Sequence, residues 1–486
     1  MIYKLRPYQE GCVKSISDYI NSDRHDPVLI VGPVGCGKSL LIAEAARLMG
    51  DKTLILQPSK ELLQQNHDKI TSYGIPATIY SASCGKKELS NMIYATLGSI
   101  KKVVGQLKEM GIRNVLIDEA HAGYSPEDGS EFMTFMNELK PKKVIGFTAT
   151  PCRLKTMSIG QVSYSQLNFI TRMRPVYFKN LIHVIQVEEM IRQGFWTPLK
   201  YETWDFNGDA LKLNSNGSEY TAESISEAVR KNGLNNLILR RLMVLKDVCR
   251  SILVFMDSVE SCNTAAEWMN AKICAGMAEV VHGGTPKKQR EAIVEGFKSG
   301  KTKVVFNYSA LGTGFDHPGL DCVIVGRPTF SFSSFYQWLG RAVRIKDGKD
   351  SALVVDCCNN SSRFGDIRKL SIENYKGYGW GMFIGDKLIT NIPMGDKVTK
   401  TDLDIKAAKK DRRRGLAQGV TAAPVPGRPD HPLGSTVMTF GKYCGWMFHS
   451  IPVSYFKFIN ETFDWDNDRN KDIKEYIDFL IKNNRL

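Results

Sequence analysis

Gly32-Pro33-Val34-Gly35-Cys36-Gly37-Lys38-Ser39 is a glycine-rich loop ending in Gly-Lys-Ser, and its surroundings decide how it is read. It follows the apolar run Val28-Leu29-Ile30-Val31 and opens the helix-like stretch from Leu40 to Ala46. Strand, glycine loop, helix is the context in which such a motif holds phosphate. Gly32, Gly35 and Gly37 let backbone N–H groups turn toward a polyphosphate, and the helix N-terminus adds its positive end. Lys38 supplies a point charge, and Ser39 is the natural hydroxyl ligand for Mg²⁺ beside a nucleoside triphosphate.

Strand-like and helix-like segments alternate outward from this loop. Apolar strands are expected at 28–31, 53–57, 114–117 and 143–147, with amphipathic stretches such as Glu61 to His67 between them. The rhythm restarts after residue 250, at 251–255, 278–282, 303–307, 322–325 and 353–356. Alternation of this kind means βαβ units on parallel sheets, so two α/β domains stand in tandem. Residues 151–225 are less periodic, and the boundary falls near Phe195-Trp196-Thr197-Pro198. The expected domains are 1–195, 196–390, a basic flexible linker at 391–435 and a small α+β module at 436–486. The linker reading rests on the basic run Lys406 to Arg414 and on Ala423-Pro424-Val425-Pro426-Gly427-Arg428-Pro429.

Composition narrows the class. The chain of 486 residues is 43% hydrophobic and 24% charged, as expected of a soluble globular protein of two or three domains. Its apolar runs are strand-sized rather than membrane-sized, so no membrane partner is expected. The start, Met1 to Arg6, lacks the apolar core of a secretory signal. A net charge of +14 favours a polyanionic partner, nucleic acid first. The 11 cysteines are scattered without a C-x-x-C pair, which reads as reduced thiols in cores, not disulfides or zinc. Cys36 reads as a small side chain within the loop, not a nucleophile.

Asp118-Glu119-Ala120-His121 closes the apolar strand 114–117. One carboxylate there can hold Mg²⁺ and a second can polarise the attacking water. Acidic residues after strands are common, and the motif gains specificity from lying about 80 residues beyond the phosphate loop. Thr148-Ala149-Thr150 follows the next strand, where hydroxyls can bond the acidic pair and relay its state. Gln9, in Leu5-Arg6-Pro7-Tyr8-Gln9, can pair with an adenine edge. In the second domain Gln337, Arg341 and Arg344 share one helical face, after the loop Gly312-Thr313-Gly314-Phe315-Asp316. An arginine pair is usually a surface stripe. Here, after a glycine-rich loop, it reads as arginine fingers aimed at a γ-phosphate from a separate domain.

The ordered series Gln9, Gly32–Ser39, Pro58-Ser59-Lys60-Glu61-Leu62, Asp118–His121, Thr148–Thr150, Thr313–Asp316 and Gln337–Arg344 resembles a superfamily 2 helicase of the DEAD/DEAH type. Within that superfamily it is similar to RadD-type bacterial repair helicases over about residues 1–360. The resemblance implies two RecA-like lobes with ATP between them and nucleic acid across both. It implies that Lys38 and Ser39 bind phosphates and Mg²⁺, that Asp118 coordinates Mg²⁺, and that Glu119 is the catalytic base. Gln9 would read adenine. Gln337, Arg341 and Arg344, with Gly314 and Asp316, would complete the site. Phosphodiester contacts would come from Pro58, Ser59, Lys60, Thr96, Ser99, Asp257, Ser258, Asn307 and Ser309. DNA, single-stranded or branched, is the implied partner, with RNA left open, and the setting is the cytoplasm of a bacterial cell or a phage-infected host. RadD-type proteins usually carry a cysteine-rich zinc segment after the core, whereas only Cys444 lies beyond Cys358 here, so no zinc is expected. The module around Thr439-Phe440-Gly441-Lys442-Tyr443-Cys444-Gly445 resembles one appended to some nucleases and phage proteins, which suggests recombination or nuclease partners. Its aromatic residues read as a compact core ahead of base-stacking platforms.

Overall fold

Val28, Leu29, Ile30 and Val31 are buried on both faces of a strand, the pattern of a sheet covered by helices on each side. The computed structural model describes residues 4–50, 52–159, 162–312, 315–407, 432–438, 443, 446–451, 453–462 and 471–483. Its strands in chain order begin with β1 (Val28–Val31), β2 (Thr53–Leu56), β3 (Thr78–Ser81), β4 (Lys86–Lys87), β5 (Met92–Ala95), β6 (Asn114–Ile117) and β7 (Lys143–Thr148). A hairpin, β8 (Cys152–Ile159) and β9 (Val162–Phe169), precedes β10 (Asn180–Val184). The first sheet runs β10-β1-β7-β6-β2-β5-β3-β4, parallel except for the short β4 at its edge.

The second sheet takes β11 (Leu199–Thr203), β12 (Ile252–Phe255), β13 (Ala278–His282), β14 (Val304–Tyr308), β15 (Cys322–Val325) and β16 (Ala352–Asp356). Its order is β11-β16-β15-β12-β14-β13, with every pairing parallel. Two such sheets in tandem make the mixed α/β fold of paired RecA-like domains. The apolar strands read from the sequence lie in these sheets. Four strands of the first sheet, β3, β4, β5 and β10, escaped that reading, as did β11 of the second.

Antiparallel elements account for the less periodic stretches. In β8–β9 the pairing runs from Cys152 opposite Phe169 to Ile159 opposite Val162. The hairpin is fastened to a later segment, where the N–H groups of Asn391 and Met394 donate to the carbonyls of Leu167 and Ser165 at 2.7 and 2.8 Å. A four-stranded antiparallel sheet follows, β17 (Leu370–Tyr375), β18 (Gly379–Ile384), β19 (Lys387–Leu388) and β20 (Val398–Thr399).

The chain forms two compact units. The larger, Met1–Tyr375 with Gly379–Thr399, holds both parallel sheets; the smaller is Lys376–Tyr378 with Lys400–Leu486. In the smaller unit, helices Val453–Thr462 and Lys471–Lys482 enclose a core that includes Met438, Phe448, Phe456, Ile459, Tyr476 and Ile477. Trp446 and Phe458 remain exposed. The segment expected as a linker from 391 contains β20 and a helical run at 400–407. Residues 408–431, with the proline stretch and most of the basic run, lie outside the described residues, as do 439–442 and 444–445 of the module's motif. Among the described residues no helix is long and apolar enough to cross a membrane.

Candidate functional site

Parallel strands deliver their following loops to one edge of a sheet, and ligands of such folds bind there. Because β1, β7 and β6 are neighbours, the Gly32–Gly37 loop, Thr148 and the Asp118-Glu119 pair stand side by side. Gly35 and Gly37 both adopt φ of +82°, the left-handed region open to glycine. A side chain at Gly37 would also meet the Gln9 amide at 2.7 Å. The helix Lys38–Met49 starts at the end of this loop, buries Leu41, Ile42, Ala45 and Ala46, and stops at Gly50.

The charges at this edge are unbalanced in a telling way. Lys38 Nζ lies 3.7 Å from Glu119 Oε1. Burial opposes the ammonium charge, but Glu119, Cys36 and Asp118 together carry its pKa above the ordinary lysine value. Asp118 is buried beside a second carboxylate, and burial followed by Glu119 pushes its pKa well above the carboxylate range despite Lys38. One ammonium is too little positive charge for two carboxylates. A divalent cation would restore Asp118 to the ionised form, so the donor set fits Mg²⁺. Glu119 sits at φ +45°, a left-handed conformation that a non-glycine residue holds only when its surroundings enforce it. Its Oε2 is buried without a hydrogen bond, while His121 Nδ1 stands 3.4 Å away.

Asn66 was not singled out in the sequence, yet it bridges this machinery. Its Oδ1 accepts from Ser39 Oγ at 2.7 Å, and its Nδ2 donates to Asp118 Oδ2 at 2.9 Å and to Gln57 Oε1 at 3.1 Å. The two expected Mg²⁺ ligands are thus held through one buried amide. An asparagine mid-helix, in Lys60–Ser72, gives no sequence signal by itself.

The second lobe faces the first across a cleft of about 450 Å³, lined by Gln9, Lys38, Ser39, Asp118 and Glu119 on one side and Gln337, Arg341 and Arg344 on the other. Arg341 donates to the carbonyls of Phe315 and Gly312 at 2.6 and 2.7 Å. Burial, then the neighbouring Arg344, pulls its pKa down to about 10, and its Nε is buried without a partner. An anionic phosphate oxygen would relieve both deficits. Arg344 pairs with Asp316. Gly314 and Thr313 lie outside the described residues. Gly340 permits the close approach of the lobes, since a β-carbon there would stand 2.5 Å from Val34 Cγ2.

Gln9 is engaged differently from a free adenine reader. Its Nε2 donates to the Cys36 carbonyl at 2.9 Å and its Oε1 accepts from the Arg6 N–H at 3.0 Å, so it steadies the phosphate loop from the cleft wall. Phe195, with the Arg6 guanidinium 4.6 Å from its ring centroid, forms an aromatic wall nearby that sequence reasoning missed.

The expected nucleic-acid contacts are dispersed along the same strand ends. Pro58, Lys60 and Ser309 are exposed. Ser59 and Ser258 cap the helices that follow them, accepting from the N–H groups of Leu62 and Ser261. Thr96 and Ser99 bond one another at 3.2 Å, and Ser99 also accepts from the Ala82 N–H. Asn307 and Asp257 are buried. The Asn307 Oδ1 caps the turn at Ala310 and Leu311, so its direct role in the described structure is to shape the loop carrying Ser309.

With this geometry in view, two family models match the chain. "Type III restriction enzyme, res subunit" covers residues 2–153, and "Helicase conserved C-terminal domain" covers residues 235–346. The core is that of a superfamily 2 helicase. This helicase core is 25% identical over 332 residues to a 51.5 kDa protein of Lactococcus phage (isolate 7-9), covering 68% of this chain and 65% of that protein. It is 25% identical over 376 residues to the ATP-dependent DNA helicase Hel308 of Pyrococcus horikoshii, covering 69% of this chain and 49% of that one. The chain thus spans less than two thirds of either relative. Among solved structures, the ATP-dependent Type ISP restriction-modification enzyme LlaBIII bound to DNA shares the fold, with a TM-score of 0.54 at 16% identity over 74% of this chain and 28% of that one.

Proposed function

We propose that the chain is an ATP-dependent DNA helicase or translocase acting in recombination, repair or replication. A single observation carries this reading: Lys38, Ser39, Asp118 and Glu119 of one lobe share a cleft with Arg341 and Arg344 of the other. A phosphate chain bound between them would make hydrolysis depend on lobe closure. Lys38 and the loop N–H groups would hold the phosphates, while Ser39 and Asp118 would hold Mg²⁺, which neutralises charge on the reacting phosphoryl group. Glu119 would orient the attacking water and take its proton. Arg341 and Arg344 would turn from their carbonyl and Asp316 partners to the charge that develops on the phosphate. Phe195 gives the adenine a ring to stack on. Loss of the γ-phosphate removes what holds the lobes together, and alternating grip on a strand would follow.

DNA is favoured by the likeness to RadD-type helicases and by the relatives, named for a DNA helicase and for restriction, a reaction of DNA. The small aromatic unit is assigned to contacts with a recombination or nuclease protein, in bacterial or phage-infected cytoplasm. The test compares ATP hydrolysis by the wild type and K38A with single-stranded DNA, duplex, forked DNA and RNA. Stimulation by DNA that K38A abolishes is expected; intact stimulated turnover in K38A overturns the assignment of this site. Stronger stimulation by RNA would move the substrate from DNA to RNA.

A further inference from the structure

His121 carries a contact that crosses the lobe boundary. Its Nδ1 lies 2.8 Å from Thr148 Oγ1 and 3.4 Å from Glu119 Oε2. Its Nε2 lies 3.2 Å from Ser333 Oγ, in the first turn of the second-lobe helix Phe332–Leu339. Ser333 Oγ in turn lies 3.1 Å from Thr150 Oγ1. The Ser333 hydroxyl therefore stands between two first-lobe side chains, donating to one and accepting from the other. Either neutral tautomer of His121 completes this chain. The same helix leads through Gly340 into Arg341 and Arg344. Any rigid movement that carries the arginines away from the cleft also withdraws Ser333 from His121.

We propose that the Ser333 hydroxyl is a positioning group through which seating of the second lobe sets the orientation of Glu119, by way of His121. This rests on the ATP-hydrolysis reading above. When the lobes part, His121 loses its Nε2 partner, and the ring beside the unpartnered Glu119 Oε2 is free to rotate. When they close, Ser333 and Thr148 clamp both ring nitrogens, and the carboxylate that orients water is buttressed on one side. Ser333 touches no reacting atom, so its effect should fall on turnover and on coupling to nucleic acid rather than on ATP affinity.

The experiment measures steady-state ATP hydrolysis by the full chain, with and without single-stranded DNA, for wild type, S333A, S333T and K38A. S333A removes the hydroxyl's bonds to both His121 and Thr150, and loss of the His121 bond should lower the ratio of stimulated to basal kcat about five- to tenfold, with KM for ATP unchanged. S333T keeps the hydroxyl and should recover most of that ratio. Adding T150V to S333A should cost little more, because the two act through one chain. A wild-type ratio in S333A beside an inactive K38A overturns the proposal and leaves the ATP site standing. So does a loss that S333T fails to restore and that comes with a raised KM, since that is a packing effect. An active K38A overturns the ATP site itself, and the role of Ser333 with it.

Discussion

The indole N–H of Trp196 donates to the carbonyl oxygen of Val34 at 2.9 Å, joining the segment between the lobes to the phosphate loop. The next residue faces the opposite wall: Thr197 gives its N–H to the Val343 carbonyl at 2.8 Å and its hydroxyl to the Arg344 carbonyl at 2.6 Å. Two consecutive residues thus clasp the Gly32–Gly37 loop and the segment that carries the arginines. Trp196 is buried, so its bond is shielded from water.

Replacing Trp196 with phenylalanine keeps most of the packing and removes the indole's hydrogen bond to the Val34 carbonyl. The loss of about 1 kcal/mol should raise the dissociation constant for ATP about fivefold. Titration with a fluorescent nucleotide analogue checks this, and unchanged affinity would remove Trp196 from the site.

Gly340→Ala adds a methyl group where Val34 already stands, and the clash should part the lobes locally. A stability loss of about 1–3 kcal/mol is expected, together with depressed DNA-stimulated ATP hydrolysis. V34A in the same background should restore much of both, because it vacates the contested space. Urea midpoints and turnover of the single and double variants decide the matter.

Asn66→Ala breaks the amide bridge between Ser39 and Asp118. Without it the two ligands are no longer pre-positioned, and half-maximal ATP hydrolysis should need several-fold more Mg²⁺. An unchanged Mg²⁺ dependence would make Asn66 a core residue only. Removal of Mg²⁺ by a chelator should stop hydrolysis in every variant.

His317 links stability to acid. It is buried against Ser251, whose hydroxyl lies 2.8 Å from its Nε2. Burial, then Lys346, Lys298 and Lys349, hold its pKa down to about 4. The unfolded chain titrates this group near 6.5, so between about 6.5 and 4 the unfolded state binds the extra proton. This contribution is present in full above pH 6.5 and is lost as pH falls through 4, on the order of 2 kcal/mol. The difference in urea midpoint between wild type and H317Q, followed across that range, should narrow toward low pH. A difference independent of pH would show that His317 does not titrate this way.

Legibility in the sequence followed the range of the interactions. The strands that became β1, β2, β6 and β7 are continuous apolar runs because both of their faces are covered, and such runs announce themselves locally. The long hairpin β8–β9 did not, since its partners include Asn391 and Met394, more than two hundred residues away. Asn66 was invisible for the same reason. A lone polar residue on a helix is normally a solvated one, and only the folded sheet brings Ser39 and Asp118 to its amide. Gln9 was recognised, but the direction of its amide, toward Cys36 and Arg6, is a matter of tertiary contact.

By itself, the sequence determined that a glycine-rich loop follows a buried strand, that paired carboxylates close another, and that Gln337, Arg341 and Arg344 lie in a second α/β domain, although the helix expected to carry all three ends at Leu339 and leaves both arginines in the turn beyond it. These are local patterns, set by backbone conformation and hydrophobic period. Only the tertiary structure decided that Val34 presses against Gly340, that Trp196 and Thr197 clasp both walls, and that Ser333 reaches His121. Those relationships join residues far apart in the chain, and close packing of two lobes, rather than any local preference, selects them.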